Sequence, residues 1–375
     1  MLKINIERKV FLKGLQVVEQ AIEDNKIRPV ISGIYLEAKD NKIVMKGTDL
    51  ERTINIIVDG EIEEEGVIVF SHKMIEEYLK EVATQRIKLI EEEGKIIVET
   101  SESTSEFSIY DAVEYPEIKG LEGGTEFYIE KDIFANLLEK TKVAAATSSD
   151  NLAVNCVRIE IEEQKLKMIA SDTYRMVYCE SNLNTEETSE KVIKVSVPLK
   201  TVDNLLKIIK MVEGDVLNLR YEGSQIFIRI GEVSILSRTI DLAFPDYNSI
   251  LKNSTYNKKV LTNTKELNSI LRRVLIFVRN NKEAKNSGVF SFIGNKLLIK
   301  GISDKAKVNE KIDTLKEGDD LKISLNVKYL LDYISRVDKE NIELHLFNSN
   351  SAVLMQGEDE EKFIYLTMPL ALREE

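Results

Sequence analysis

A chain of 375 residues, 43% of them apolar, can bury the cores of two to four ordinary domains, and it contains no run of about 18 apolar residues that would cross a membrane. With Cys156 and Cys179 the only cysteines and His72 and His345 the only histidines, no disulfide framework, soft-ligand metal site or histidine-based catalysis is expected. The net charge of −12 argues against a nucleic-acid partner as a total, so the question becomes where the basic residues fall.

The opening MLKINIERKVFLKG places charges where a secretion leader needs a continuous apolar stretch, so a cytoplasmic protein with reduced thiols is expected. A short strand then runs into a helix, INIERKVFLKGLQVV from Ile4. The segment IYLEAKDNKIVMKG (34–47) alternates apolar and polar residues and turns at Asp40-Asn41, a hairpin signal. MKGTDLERT follows, with Asp49 where strand meets turn. FSHKMIEEYLKEV (70–82) predicts a second helix, because Ile75, Tyr78, Leu79 and Val82 share one face at i, i+3, i+4, i+7. Tyr115-Pro116 closes the segment, and EIKGLEGGT (117–125) loosens the composition.

The same order then starts again. FYIEKDIFANLLEKT from Phe127 predicts a strand and helix, and VRIEIEEQKLKMIAS (157–171) a hairpin turning at 162–164. MIASDTYRM carries Asp172, and VPLKTVDNLLKII (197–209) carries the stripe Val202, Leu205, Leu206 and Ile209. Phe244-Pro245 and the polar KNSTYNK (252–258) end this stretch. A third pass reads VLTNTKELNSILRRV from Val260, FSFIGNKLLIKG (290–301) turning at Gly294-Asn295, and IKGISDKAK with Asp304. LNVKYLLDYISRV (325–337) repeats the stripe as Leu330, Tyr333, Ile334 and Val337, and Met368-Pro369 closes the unit.

Lys73, Lys200 and Lys328 in the three second helices lie 127 and 128 residues apart, and three of the five prolines occupy equivalent places. One amphipathic helix means little, but three in register mean an internal repeat. The expected fold is α+β, with three similar domains at 1–120, 126–251 and 257–375, each laying two helices on antiparallel sheet.

Several pieces now combine: GTDLE at 47–51, ASDTYRM at 170–176, FPDY at 244–247, SLNVKYLLDYI from Ser324, and the closing YLTMPLAL. By their order and spacing the chain resembles, over its full length, the bacterial sliding clamp, the beta subunit of DNA polymerase III. The resemblance implies a homodimer of three-domain protomers joined head to tail, with helices lining a central hole and sheets outside. It implies a non-catalytic ring without a cofactor that encircles duplex DNA without reading sequence. Implied partners are the replicative polymerase alpha subunit, the clamp loader, and repair and translesion polymerases. The implied location is cytoplasmic and nucleoid-associated, with no membrane partner. The chain has no G-x-x-x-x-G-K-[ST] phosphate loop, which fits a ring opened by another machine.

The charges can be read against that expectation. Lys73, Lys80, Lys200, Lys207, Lys210, Arg272, Arg279 and Lys328 fall on the predicted helices, with Lys26 and Arg28 at the entry of the first domain. These ten form the expected DNA channel. Acidic runs lie elsewhere: EIEEEG (61–66), EEEG (91–94), NTEETSEK (184–191) and GEDEEK (357–362). Some acids share the helices, so the segregation is partial.

The resemblance also implies an apolar groove for partner peptides between the second and third domains. Its residues here are Val154, Ser171, Thr173, Tyr174, Arg175, Met176, Pro245, Ile250, Asn326, Tyr329, Leu366, Met368 and Pro369, with Arg175, Asn326 and Tyr329 as polar contacts. Thr173-Tyr174 stands where the family often has glycine and histidine, and Ala371 where arginine is common. Arg373-Glu374-Glu375 extends past the usual ending and could flank the groove. The implied dimer seam brings Phe107 and Ile109 of one copy against Ile276 and Phe277 of the other.

Two rival readings remain. An enzyme would need Asp49, Asp172 and Asp304 in one site, whereas they fall one per repeat, where capping of a turn explains them better. The other is a divergent paralogue or scaffold with no replication role.

Overall fold

The structure is a computed structural model describing residues 1–121, 123–148, 150–162, 164–183, 192–282 and 284–372. The acidic run 184–191 and the extension Arg373–Glu375 lie outside the described residues. The α-helices, in chain order, are α1 (Arg8–Val18), α2 (His72–Glu81), α3 (Lys131–Thr141), α4 (Leu199–Met211), α5 (Tyr247–Asn253), α6 (Thr264–Val278) and α7 (Val327–Ile334). None of them is long and apolar enough to cross a membrane.

Each repeat starts as its sequence predicts, with a strand running directly into a helix: Lys3–Glu7 into α1, Thr125–Glu130 into α3, and Lys258–Asn263 into α6. The second helices α2, α4 and α7 carry the predicted stripes inward. Ile75, Leu79, Val202, Leu205, Leu330 and Ile334 are all buried. Asn326 caps α7 by accepting the Tyr329 amide at 3.2 Å, and Asn263 caps α6 by accepting that of Glu266 at 3.0 Å. Helix α5 was not foreseen. Asp246 starts it by accepting from Ser249 N–H at 3.1 Å, directly after Pro245.

The hairpins turn where expected. Asp40 and Asn41 both have positive φ, 50° and 59°, as a two-residue turn joining right-twisted strands requires. The acidic turn of the first two repeats is a local cap. Asp49 Oδ1 accepts from Glu51 and Arg52 amides, and Asp172 Oδ1 from those of Tyr174 and Arg175. In the third repeat the expected residue, Asp304, is one place off. Ser303 holds the position, accepting the Ala306 amide through Oγ at 3.2 Å and giving its own N–H to the Ala306 carbonyl. A serine hydroxyl makes the same turn as an aspartate carboxylate, so matching by residue type alone slipped the register. Gly47, just before the first of these turns, faces the carbonyl of Val18 so closely that no Cβ fits.

The described chain divides into two compact units. The first is built mainly on Met1–Ala135 and Lys200–Thr239, the second mainly on Asn136–Leu183, Lys194–Leu199 and Ile240 onward. The middle repeat is therefore shared between them, because its sheets continue those of its neighbours. In the first unit Val233–Arg238 of the middle repeat pairs antiparallel with Arg52–Val58 of the first, setting Ile235 opposite Ile54. Both belong to one thirteen-stranded sheet. In the second unit Phe363–Thr367 of the third repeat pairs antiparallel with Arg175–Asn182 of the middle one, setting Leu366 opposite Met176 in a nine-stranded sheet. One rule covers both seams: the closing strand of a repeat joins the strand after the Asp turn of the repeat before it.

Cys156 and Cys179 are both buried and unpaired. Burial pushes their thiols up, to about 11 and about 12 respectively, so almost no thiolate exists near neutral pH. Neither cysteine should react with a thiol-disulfide reagent at pH 8 in the folded protein, and both should react at once in concentrated urea. Rapid labelling of the native chain would contradict this burial.

Candidate functional site

The expected groove residues all belong to the second unit, and the turn 171–175 organises them. Ser171 Oγ donates to the Arg175 carbonyl at 2.7 Å and accepts from Thr173 N–H at 3.1 Å. This holds Thr173 at φ 76°, a left-handed conformation that costs a β-branched residue about 1–3 kcal/mol and costs glycine nothing. The turn presents Tyr174, which is 65% exposed. Met368 N–H donates to the Tyr174 carbonyl at 2.8 Å, bringing the closing segment alongside, and Leu370 N–H ties that segment to Ser324 O at 2.8 Å.

Exposure sorts the expected apolar wall into floor and rim. Val154, Met176 and Leu366 are buried. Met176 and Leu366 share a core cluster with Ile169 and Tyr247, against which Phe244, Leu251 and Leu354 pack. Ile250 and Met368, each 44% exposed, join Tyr174 as accessible apolar surface. Pro245 and Pro369 are half-buried.

The polar contacts are largely committed already. The Arg175 guanidinium gives Nε to Asp172 at 3.0 Å and Nη1 to Asp332 at 2.8 Å, and lies 3.9 Å from the Tyr329 ring centroid. Burial works against its charge, but Tyr365, Asp332 and Asp172 outweigh that and keep it more firmly protonated than a free arginine. Asn326 Oδ1 is occupied as the α7 cap, and Tyr365 donates its hydroxyl to the Tyr329 carbonyl at 2.9 Å. Arg175 and Asn326 therefore brace the site, and what they leave accessible is mainly apolar. Sequence reasoning missed Asp332. Its spacing was the available signal, four residues after Lys328, with which its carboxylate pairs; Arg336, four residues further on, meets only its backbone carbonyl.

The basic residues expected to face DNA sit on helices and adjoining loops, and most have partners. In the first unit Lys73 pairs with Asp24 at 3.2 Å, Lys80 with Glu76 at 2.7 Å, and Lys200 with Glu23 and Asp49. Lys207 donates to Gln20 Oε1 at 3.1 Å, and Arg28 to the Glu114 carbonyl at 2.9 Å. Lys26 and Lys210 are exposed. In the second unit Lys328 pairs with Asp332 at 3.0 Å, Arg272 donates to Asn268 Oδ1 at 2.8 Å, and Arg279 is an exposed residue ending α6. Exposed pairs of this kind are worth about 0–1 kcal/mol each, so they exchange readily for another anion. No group of acidic, histidine or cysteine side chains that could hold a metal ion occurs among the described residues.

At the expected seam, Phe107 and Ile109 lie half-buried on Thr104–Tyr110. On α6, Leu267, Ile270, Leu271, Val274 and Val278 form the buried stripe, while Phe277 is half-buried and Ile276 is 59% exposed.

Comparison with known proteins gives a consistent result. The family described as DNA polymerase III beta subunit matches in three consecutive pieces: its N-terminal domain over residues 2–119, its central domain over 128–246 and its C-terminal domain over 253–371. The chain is 24% identical to the beta sliding clamp of Staphylococcus epidermidis, covering 99% of each chain, and 26% identical to that of Pseudomonas aeruginosa, covering 98% of this chain and 99% of the other. The solved DNA polymerase III subunit beta of Pseudomonas aeruginosa superposes with a TM-score of 0.91 at 25% identity, over 99% of this chain and 100% of that one.

Arg175 is the residue on which the turn 171–175 and α7 converge. Arg175→Met should leave the Asp172 carboxylate to its backbone amides and that of Asp332 to Lys328, and cost about 3 kcal/mol, the low end for a buried pair because Asp332 keeps some solvent. A lowered urea midpoint would show it, with Arg175→Lys recovering only part, since an ammonium cannot bridge both carboxylates and stack on Tyr329. An unchanged midpoint would remove Arg175 from this role.

Proposed function

The chain belongs to the DNA polymerase III beta subunit family, and on that premise we propose that two copies close head to tail into a ring that encircles duplex DNA. The ring is a sliding clamp, a non-catalytic processivity factor that holds the replicative polymerase to its template. The clamp loader and the repair and translesion polymerases would share the groove around Tyr174, Ile250 and Met368. The domains are taken as 1–120, 126–251 and 257–375.

One observation carries the reading. Within the chain, the closing strand of each repeat joins the post-turn strand of the repeat before it, and this happens twice. Two partners of the same kind are left over. Thr104–Tyr110 closes the first repeat, and its residues 104–108 pair only with Lys95–Glu99. Lys307–Asp313 follows the Ser303 turn of the third repeat and is the outermost strand of the four-stranded sheet. Among the described residues neither strand finds the partner that the rule requires. A second copy supplies both, and the same rule then joins Thr104–Tyr110 of one copy to Lys307–Asp313 of the other, twice over, with no edge of this kind left. Unpaired edges invite such pairing.

The helices support the same closure. Within the first unit, α4 of the middle repeat docks on the end of α1, where Asn204 donates to the Gln20 carbonyl. Counted from the helix start, Ile276 of α6 stands where Gln20 stands after α1. Its exposed side chain, beside Phe277, is thus placed to receive α2 of a second copy.

A topological ring needs little grip. Lysines and arginines that are already half neutralised would hold the duplex centred through a few phosphate contacts, carrying no base information and letting the ring slide. The acidic remainder of the surface would keep DNA from binding outside. The groove is mainly apolar at its rim, which suits short peptides that insert apolar side chains.

Two outcomes are expected. Phe277→Asp places a charge in the proposed seam, and light scattering should then give 42.8 kDa instead of twice that mass. A ring that survives the change would count against the seam. Once loaded, the native protein should stay on circular DNA and be lost from linear DNA. Equal retention on both would point to an ordinary binder or a scaffold without the replication role.

A further inference from the structure

We infer that two copies of this chain meet in a single strand register, with Phe107 of each opposite Ala306 of the other. Glu106 of one copy then faces Lys307 of the other, and this charge pair selects the copy that closes the seam. The register rests on the ring reading above and fixes what naming the two strands leaves open, which residue faces which.

The two seams inside the chain align residue by residue. Ser237 lies opposite Arg52 in the first, and Thr367 opposite Arg175 in the second. Arg52 and Arg175 each accept the amide of their turn aspartate, Asp49 or Asp172, at 3.2 Å. Ala306 accepts the Ser303 amide in the same way at 2.9 Å, so it holds the place of the two arginines in the third repeat. On the closing strands, Ile240 N–H goes to the Ser196 carbonyl at 2.9 Å and Leu370 N–H to that of Ser324 at 2.8 Å. Ser196 and Ser324 precede Lys200 and Lys328 by four residues, and Val69 precedes Lys73 by the same number. Val69 pairs with Tyr110, which therefore matches Ile240 and Leu370. Three residues back from each are Phe107, Ser237 and Thr367. Phe107 opposite Ala306 is then the third seam, and it sets Glu106 opposite Lys307, Ser105 opposite Val308 and Thr104 opposite Asn309.

Backbone directions give a separate check. Successive residues of an antiparallel strand turn their N–H and C=O to opposite sides. Ile109 gives its amide to the Gly94 carbonyl, toward Lys95–Glu99, so Thr104, Glu106 and Ser108 point theirs off the edge. Thr314 gives its amide to the Asn295 carbonyl at 3.0 Å, toward Lys296–Ile302, so Lys307, Asn309 and Lys311 also point off their edge. The register matches outward groups with outward groups, which a slip of one residue would not. The faces agree as well. Half-buried Ser105 meets half-buried Val308, while exposed Thr104 and Glu106 meet exposed Asn309 and Lys307.

Glu106 and Lys307 are thus facing residues of a hydrogen-bonded pair, about 5.5 Å apart at Cα. Glu106 already holds Lys95 of its own copy through Oε2 at 2.6 Å, which keeps its carboxylate on the exposed face with Oε1 toward the seam. Lys95, Glu106 and Lys307 then alternate in sign across the two copies. Opposite charges face to face support a strand pair, and like charges oppose it. In a head-to-tail ring each chain contributes one member of the pair to each seam, so the rule is read twice.

Glu106→Lys sets lysine against lysine at both seams of its own dimer, and Lys307→Glu sets glutamate against glutamate. Each variant alone should raise the dimer dissociation constant about ten-fold. Mixed in equal amounts, the two should form mixed dimers in large excess over random pairing, because a mixed ring has one reversed and one native pair, both attractive. Native mass spectrometry with one variant carrying a mass tag reads the ratio, and random pairing would overturn the charge rule.

A second measurement leaves the charge pair intact. Thr104→Cys/Asn309→Cys should cross-link into a covalent dimer under mild oxidation, since facing Cα atoms lie within disulfide reach. The pairs shifted by two residues, Thr104→Cys/Lys311→Cys and Glu102→Cys/Asn309→Cys, should link far more slowly. Equal or faster linking of a shifted pair would overturn the register. A native protein that stays monomeric at high concentration would end the ring reading itself. A native dimer whose variants fail either test keeps the ring and loses only this register.

Discussion

A strand edge with unpaired amides and carbonyls is the constraint on which the rest of this structure depends. Backbone groups at an edge must find partners or remain exposed as templates for association. This chain solves the problem by repetition. The end of each repeat becomes the missing neighbour of the one before it, so the Ile54–Ile235 and Met176–Leu366 pairs are at once strand registers and domain seams. At about 1 kcal/mol net per hydrogen bond, each seam is worth several kcal/mol before its side chains are counted. A unit joined in this way cannot be separated from its neighbour without exposing an edge, which is why the middle repeat divides between two compact units.

The same economy governs the charged and apolar surfaces. The basic helix faces are tempered by Asp24, Glu76, Glu23 and Asp332, so their attraction to a polyanion is broad and weak. Tight grip would oppose sliding, whereas encirclement supplies retention without affinity. In the groove, polar side chains are spent on bracing: Arg175 on two carboxylates and a ring, Asn326 on a helix cap. On the proposed reading, burial of a peptide's apolar side chains against Tyr174, Ile250 and Met368 would provide the affinity. Polar discrimination falls to backbone groups and to whatever the partner brings.

Much of this was legible in the sequence. The three helical stripes, the strand-into-helix openings and the Asp40-Asn41 hairpin follow from periodicity and turn chemistry, which are local properties. Less local features were lost. Ser303 hid the third turn because a hydroxyl replaced a carboxylate while the side-chain bond to the amide three residues on and the backbone bond stayed the same. Helix α5 is about two turns long, and its only signal was Asp246 after a proline. The floor and rim of the groove could not be separated, since Met176 and Met368 look alike until strand pairing buries one and leaves the other exposed. Asp332 drew no reading from the sequence, yet it braces Arg175. The sharing of the middle repeat between two units depends on pairings between residues more than 180 apart in the chain, such as Ile54 with Ile235, which no local pattern records.

Amide hydrogen exchange of the two leftover strands tests the central claim most directly. If Thr104–Tyr110 and Lys307–Asp313 pair between copies, the amides facing outward from both strands should be protected together at high protein concentration and lose that protection together on dilution into monomer. Fast exchange of both strands in a preparation whose mass is that of a dimer would contradict the account, because the two copies would then be joined through some other surface.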